Sequence, residues 1–374
     1  MDASETGTLA AGKAWLRDRV ERGLHPIDGL DRTAALATIE GLPGLEPEPW
    51  AAAWGGLAGD FAAQARAIAD PARRHDLWLQ AYQAAFLGRY PVPNHPVKAK
   101  LYDCAREYFL EAAALEQPPL EVVEVPFAGG PGERATVRFY LTRPDGVERP
   151  RVVLAWGGID TWKEESHARL GALLRAQGLA VVLVDIPGTG ESPVLASVDA
   201  ERQYTPVFHY LAKRSDLDGS RCAVLGASFG GYWAMKLAYT HRDHVAAAVN
   251  WGGGVHITFT HEWQERSRNA SSYLMDLMPA RARIFGGSTF EDYVEHCREL
   301  SLLDQGLLDA PSSPILLVNG RDDRQNSIDD LYLSLDHGDP KAARVFDGGH
   351  MGQGPTLPTI IDWIRGQLAL NPVP

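Results

Sequence analysis

The sequence is poor in cysteine, has no run of basic residues and has no long apolar stretch, and each scarcity removes a class of function. Three cysteines occur in 374 residues, Cys104, Cys222 and Cys297. Odd in number and far apart, they exclude a disulfide framework and a paired CxxC metal site, and they suit a reducing, cytoplasmic environment. The formal net charge is −12 with no basic patch to offset it, so nucleic acid and anionic membrane surfaces are repelled at long range. No apolar run approaches the roughly 18 residues that a membrane-spanning helix requires. Met1 to Ala11 carries Asp2 and Glu5 and lacks a basic segment followed by an apolar one, so no signal peptide is expected. No internal repeat or low-complexity tract is present.

What remains is an ordinary globular composition, 45% hydrophobic and 22% charged, long enough for one large core and an appended domain. From about residue 12 to 117 the pattern is helical. Trp78, Tyr82, Phe86 and Tyr90 recur every fourth position and form one aromatic stripe that ends at Pro91. Core packing accounts for such a stripe, and one or two of its rings are candidates to line a substrate pocket. A further helix is expected from Val97 to about Glu116, after the stiff segment Pro91, Pro93 and Pro96.

Past Pro118 and Pro119 the texture changes to short β-branched runs separated by glycines and helix-length segments, the pattern of an α/β sheet. A domain boundary near 118 follows. It separates a helical cap or lid domain, 1–117, from a catalytic domain, 118–374, with a small helical insertion at about 256–305. Eight strands are expected: 120–127, 136–141, 151–156, 180–185, 222–226, 246–251, 315–319 and 343–346. The first two are close enough for a hairpin. The later ones are spaced for parallel crossovers.

The chemistry concentrates at Gly226-Ala227-Ser228-Phe229-Gly230, which fits GxSxG between an apolar strand and a helix-compatible run. This is the nucleophile-elbow pattern: small neighbours let the backbone turn sharply and lift the serine hydroxyl over the sheet edge. The helix that follows points its positive end at the place where negative charge develops in acyl transfer. In this arrangement an acid and then a histidine follow, each after a later strand. His350, in Asp347-Gly348-Gly349-His350, takes the role of general base. Asp323, three residues past Gly320, is the acid that orients it, with Asp322 as the competitor. A solvated turn is the alternative reading of that acidic pair.

An oxyanion hole requires two N–H donors. One is Phe229, after the nucleophile, and the other comes from the loop Trp156-Gly157-Gly158-Ile159-Asp160, where Gly158 is the first choice and Ile159 the second. Asp185 to Ser192, after the fourth strand, reads as a structural turn. Ile159, Tyr82, Phe86 and His256 are candidates for substrate contact. His256, with His261 and Glu262, lies where the small insertion begins, and an ordinary loop or helix position is its competing reading.

At these residues the chain resembles the α/β-hydrolases that carry an N-terminal helical domain, the group containing 2,6-dihydropseudooxynicotine hydrolase, the fermentation-respiration switch protein and fungal polyketide-shortening hydrolases. The likeness runs from about residue 78 onward. It rests on Tyr90-Pro91-Val92-Pro93, on Gly157-Gly158-Ile159-Asp160 with Lys163-Glu164-Glu165, on Asp185 to Ser192 and on Gly226 to Gly231. It implies an α/β-hydrolase fold with an eight-stranded mostly parallel sheet and a helical cap, the triad Ser228, Asp323 and His350, and an active site buried between the helical domain and the sheet. It also implies carbon–carbon bond hydrolysis next to a ketone in some members, ester cleavage in others, and a homodimer.

The expected activity is therefore that of a serine hydrolase working through an acyl-enzyme on a hydrophobic or aromatic small molecule, without metal or organic cofactor. A peptidase of the prolyl oligopeptidase kind is disfavoured because the first 117 residues read helical rather than as a β-propeller. Haloalkane dehalogenases and dienelactone hydrolases use Asp and Cys as nucleophiles, whereas position 228 is Ser. An acyltransferase on the same triad remains an alternative. A non-catalytic binding or regulatory protein on a hydrolase scaffold is the other, and it would show a damaged triad or oxyanion loop, which this sequence does not.

Overall fold

The computed structural model describes residues 8–268 and 273–369. These group into two compact units. The first comprises residues 8–120 together with 273–280, and the second takes the rest. The second segment of the first unit comes from within the stretch expected to form a small insertion, so the helical unit is discontinuous in sequence.

The helical unit contains α1 (Leu9–Arg22), α2 (Arg32–Gly41), α3 (Pro47–Ala67), α4 (Pro71–Arg89) and α5 (Pro96–Ala113). Proline stands in the first turn of α3, α4 and α5, where its missing N–H costs nothing because no intrahelical partner exists there. Asp70 caps α4 by accepting from the Arg73 N–H at 3.2 Å. The helix stops at Arg89 because Tyr90 precedes Pro91 and is held extended. α5 ends at Ala113, three residues short of the expected Glu116.

The aromatic stripe of α4 faces inward. Trp78, Tyr82, Phe86 and Tyr90 are all buried. Trp78 stacks on Tyr108 at 5.6 Å, and Tyr82 meets Phe109 edge-on at the same separation. The Trp50 indole of α3 donates to the Leu87 carbonyl at 2.7 Å, which satisfies a buried polar group that would otherwise be costly.

The second unit is built on one eight-stranded sheet: β1 (Glu121–Pro126), β2 (Thr136–Thr142), β3 (Arg151–Trp156), β4 (Ala180–Val184), β5 (Asp218–Ala227), β6 (Val245–Trp251), β7 (Ile315–Gly320) and β8 (Ala342–Phe346). Their order across the sheet is β1-β2-β4-β3-β5-β6-β7-β8. β1 and β2 form the antiparallel hairpin, β2 runs antiparallel to β4, and the remainder is parallel. β4 (AVVLV) and β7 (ILLVNG) are buried at every residue, as expected of parallel strands covered on both faces. β1 alternates between less and more exposed positions and β8 is largely uncovered, which marks them as the edges.

The order of strands decides where chemistry can occur. The chain leaves β3 towards β4 on one side and returns to β5 on the other, so the ends of β3 and β5 lie adjacent at a switch point, with Trp156 paired to Gly226. Loops from these two strand ends therefore face each other across a crevice.

Candidate active site

β5 runs directly into the helix Phe229–Thr240, and the junction is Ser228, whose φ of 54° and ψ of −129° lie in a region that L-residues rarely occupy. The turn is over-determined by its surroundings. The Ser228 N–H donates to the Trp251 carbonyl at 2.7 Å, and the Gly231 N–H closes back on the Ser228 carbonyl at 2.8 Å. A side chain at Gly226 would run into the Gly230 carbonyl, and one at Gly230 into the Gly157 carbonyl and the Trp156 indole. Only glycine lets these backbones touch.

His350 stands after β8, three strands from β5. At a spacing of roughly 5 Å per strand it must be carried back by about 14 Å. Left-handed backbone at Gly348, Met351 and Gly352 folds its loop over. The Trp251 indole then donates to the Met351 carbonyl at 2.7 Å, and the Asn319 side chain accepts from the Met351 N–H at 3.0 Å. The outcome is a continuous line of hydrogen bonds: Asp323 Oδ2 to His350 Nδ1 at 2.8 Å, and His350 Nε2 to Ser228 Oγ at 2.7 Å. A carboxylate only accepts, so Nδ1 carries the hydrogen, and Nε2 is free to accept from the serine hydroxyl.

Asp323 is buried, whereas Asp322 is exposed. The Asp322 N–H donates to the Gly348 carbonyl at 2.9 Å, and it is the Asp323 carboxylate that meets His350. Besides His350, Asp323 Oδ2 receives the Asn319 amide at 2.9 Å, and its Oδ1 receives the Gln325 and Asn326 N–H groups at 2.8 and 3.2 Å. Burial raises the pKa of this carboxyl, but the charge and hydrogen bond of His350, the Asn319 amide and the Gln325 N–H outweigh it, and the net shift is below the ordinary carboxylate value. Asn319 is the residue that sequence reasoning missed. A polar side chain ending an otherwise apolar, buried strand was its signal.

Gly158 lies against the serine. A Cβ added there would stand 2.9 Å from Ser228 Cβ, 3.1 Å from its Oγ and 3.6 Å from the Phe229 nitrogen. The glycine therefore keeps open the space between the hydroxyl and the first N–H of the following helix. Phe229 is buried, its ring set against Tyr232, Trp233 and Phe259, which fixes the start of the helix. Ile159 is buried next to Gly158, and its carbonyl receives the Trp162 indole N–H at 3.0 Å.

Tyr82 and Phe86 belong to the helical unit, where Tyr82 packs on Phe109 and Phe86 lies beside His25 and under the Arg89 guanidinium. His256 is engaged by Ser301, with its Nδ1 2.7 Å from the hydroxyl, and by Asp304 at 3.7 Å. The loop carrying it is gripped by Asp330, whose buried carboxylate accepts from the N–H groups of Val255, His256, Ile257 and Thr258. Among the described residues no cluster of His, Cys, Asp or Glu has the geometry to hold a metal ion, and no helix is long and apolar enough to cross a membrane.

Residues 38–368 match the family described as "Esterase FrsA-like". The chain is 23% identical over 337 residues to the esterase FrsA of Photobacterium profundum, an alignment that covers 87% of this chain and 78% of that protein. It is 32% identical over 149 residues to the 2,6-dihydropseudooxynicotine hydrolase of Paenarthrobacter nicotinovorans, covering 39% of each. Among solved structures, that of 2,6-dihydroxy-pseudo-oxynicotine hydrolase superposes with a TM-score of 0.75 at 22% identity over 95% of both chains. AbyA5 follows with a TM-score of 0.71 at 22% identity, over 90% of this chain and 94% of that one. These likenesses establish the fold.

Proposed function

We infer, for a chain that belongs to the FrsA-like esterase family and is an α/β-hydrolase, that it is a serine hydrolase in which Ser228 is the nucleophile, His350 the general base and Asp323 the residue that orients it. The observation that carries this reading is the unbroken line of hydrogen bonds from Asp323 through His350 to Ser228 at the end of β5.

The steps follow from the geometry. His350 Nε2 removes the proton of the Ser228 hydroxyl as its oxygen attacks a substrate carbonyl carbon, and Asp323 balances the imidazolium that forms. The carbonyl oxygen becomes an oxyanion in the space beside Gly158, where the N–H groups of Phe229 and Gly158 and the positive end of the helix Phe229–Thr240 stabilise it. Collapse breaks the bond to the leaving group, which takes the proton from His350. For an ester the proton goes to oxygen, and for a ketone with a stabilised carbanion it goes to carbon. A water molecule, deprotonated by His350, then attacks the acyl-enzyme carbonyl, and collapse breaks the bond to Ser228 Oγ, which takes the proton back from His350 as the acid leaves.

The substrate in this reading is a hydrophobic or aromatic small molecule carrying an ester or a ketone with a cleavable neighbouring carbon–carbon bond. No step calls on a metal or organic cofactor. The free thiols of Cys104, Cys222 and Cys297 suit a cytoplasmic enzyme, and a homodimer is the working state proposed for it. A short p-nitrophenyl ester and a fluorophosphonate probe test the core of the reading: turnover and labelling should both disappear in Ser228→Ala. Labelling of another residue would remove the assignment.

A further inference from the structure

Two sequence features have no role in the mechanism above, the run Lys163-Glu164-Glu165 after the Gly158 loop and the turn Asp185 to Ser192 after β4. They meet in the interior. Lys163 and Asp185 are buried, with side-chain exposures of 0% and 1%. The Lys163 ammonium lies 2.9 Å from Asp185 Oδ2, 2.9 Å from Glu191 Oε2 and 3.0 Å from Glu164 Oε1. Its own backbone N–H donates to the other Asp185 oxygen at 2.9 Å, so one residue occupies both ends of that carboxylate. The Glu191 N–H adds a third bond to Asp185 at 2.8 Å, and the Tyr140 hydroxyl of β2 donates to Glu164 at 2.9 Å. Arg138 closes the rim at 3.4 Å from Glu191.

A group of buried charges is a poor way to gain stability, because desolvation consumes most of the Coulombic attraction and a well-packed apolar set commonly serves as well. Such a group does fix one geometry, and here it fixes a particular segment. Lys163 opens the helix that follows the Gly158 loop. The preceding Trp162 is held by its N–H on Glu165 at 2.7 Å, and its indole holds the Ile159 carbonyl at 3.0 Å. The path from the ammonium to the residue adjoining Gly158 is thus short and made of buried hydrogen bonds.

We propose that Lys163, through its bridge to Asp185, is a positioning residue for the oxyanion hole, holding the Gly158–Ile159 backbone where it meets the transition-state oxygen above Ser228. This rests on the serine-hydrolase reading. The carbonyl substrate binds with or without the bridge, so the effect falls on the charged transition state and not on substrate affinity.

The test uses the full chain with a p-nitrophenyl ester and a trifluoromethyl ketone, which forms a hemiketal oxyanion with the serine. Lys163→Met should lower kcat per fluorophosphonate-titrated site and trifluoromethyl ketone affinity together, each by roughly 10- to 100-fold, with KM within about twofold of wild type. Lys163→Arg should recover part of both. A variant with a lowered melting temperature but wild-type kcat and ketone affinity has lost only a structural contact, and that result overturns the proposal. If Lys163→Met does not fold, Glu191→Gln, which weakens the same cluster, should show the paired loss at a few-fold, and wild-type values there are equally decisive against it. Full activity in Ser228→Ala would instead remove the underlying serine-hydrolase reading, so the two failures are distinguishable.

Discussion

The Asn319 amide donates to the same Asp323 oxygen that receives His350 Nδ1, at 2.9 Å against 2.8 Å, while its carbonyl oxygen accepts from the Gly320 and Met351 N–H groups. One buried side chain thus joins the acid, the strand end that carries it and the loop that carries the histidine. Asn319→Ala should leave the carboxylate free to rotate and the Met351 N–H without its acceptor. We expect kcat to fall by about 10- to 100-fold with a loss of stability of about 1–3 kcal/mol, measured by steady-state kinetics and urea denaturation. A folded variant with wild-type kcat would show that Asn319 has no part in orienting the acid.

Ser228→Ala and His350→Ala should each reduce kcat by something on the order of 10⁶ while the fold is kept, and the double variant should be no slower than either alone because the two act as one unit. Circular dichroism checks the fold. Retention of more than a trace of activity in either single variant would displace the elbow assignment.

Asp323→Asn should cost about 10⁴ in kcat by favouring the wrong imidazole tautomer, whereas Asp322→Asn, at an exposed position, should remain near wild type. A reversal of these two outcomes moves the acid by one residue.

Gly158→Ala places a methyl group within 3.1 Å of Ser228 Oγ, in the space the substrate oxygen needs. Turnover of an ester should drop by about 10²–10³ without loss of folding. Unchanged turnover would mean that the oxyanion is held elsewhere.

His241 supplies a pH dependence unrelated to catalysis. Burial, then the neighbouring His244 and His209, push its pKa down to about 4 from the ordinary 6.5, and Thr205 and Thr240 hold its two nitrogens at 2.9 and 2.8 Å. Between those values it is neutral in the native state and protonated in the unfolded one. Its contribution to stability is therefore complete above pH 6.5 and is lost as the pH falls towards 4, by about 3 kcal/mol. Denaturation curves of wild type and His241→Gln across that interval should converge as the pH falls. A constant difference would mean that His241 titrates alike in both states.

The strands of the second unit, and the three residues that meet at the end of β5, were legible in the sequence because their signals are local. β4 and β7 are unbroken apolar runs, the elbow requires glycine on both sides of Ser228, and the loops after β7 and β8 carry an acid and a histidine in the expected order. Non-local consequences were not legible. No spacing announces that Asn319 would be shared between two loops, or that Asp185 would turn its carboxylate onto Lys163, because both depend on which strands become neighbours. The segment 273–280 lies in a stretch whose composition reads as an insertion of the catalytic half, and its membership of the helical unit is set by tertiary contacts. Tyr82 and Phe86 show the limit of periodicity, which identifies an inward face of a helix but not what that face meets.

That segment bears on how the protein is made. Asp276 bonds to Lys98 at 3.1 Å and to Asn94 at 3.0 Å, and Tyr273 stacks on Tyr90, so these helices are completed by residues that leave the ribosome some 180 positions after them. Domains generally fold as units during synthesis, amino-terminal first. Here the amino-terminal unit cannot finish until all of β1 to β6 has also emerged, and the Lys98 ammonium must wait, unburied or unpaired, for its carboxylate. Expression of the first 120 residues alone would yield a helical unit lacking one of its own pieces.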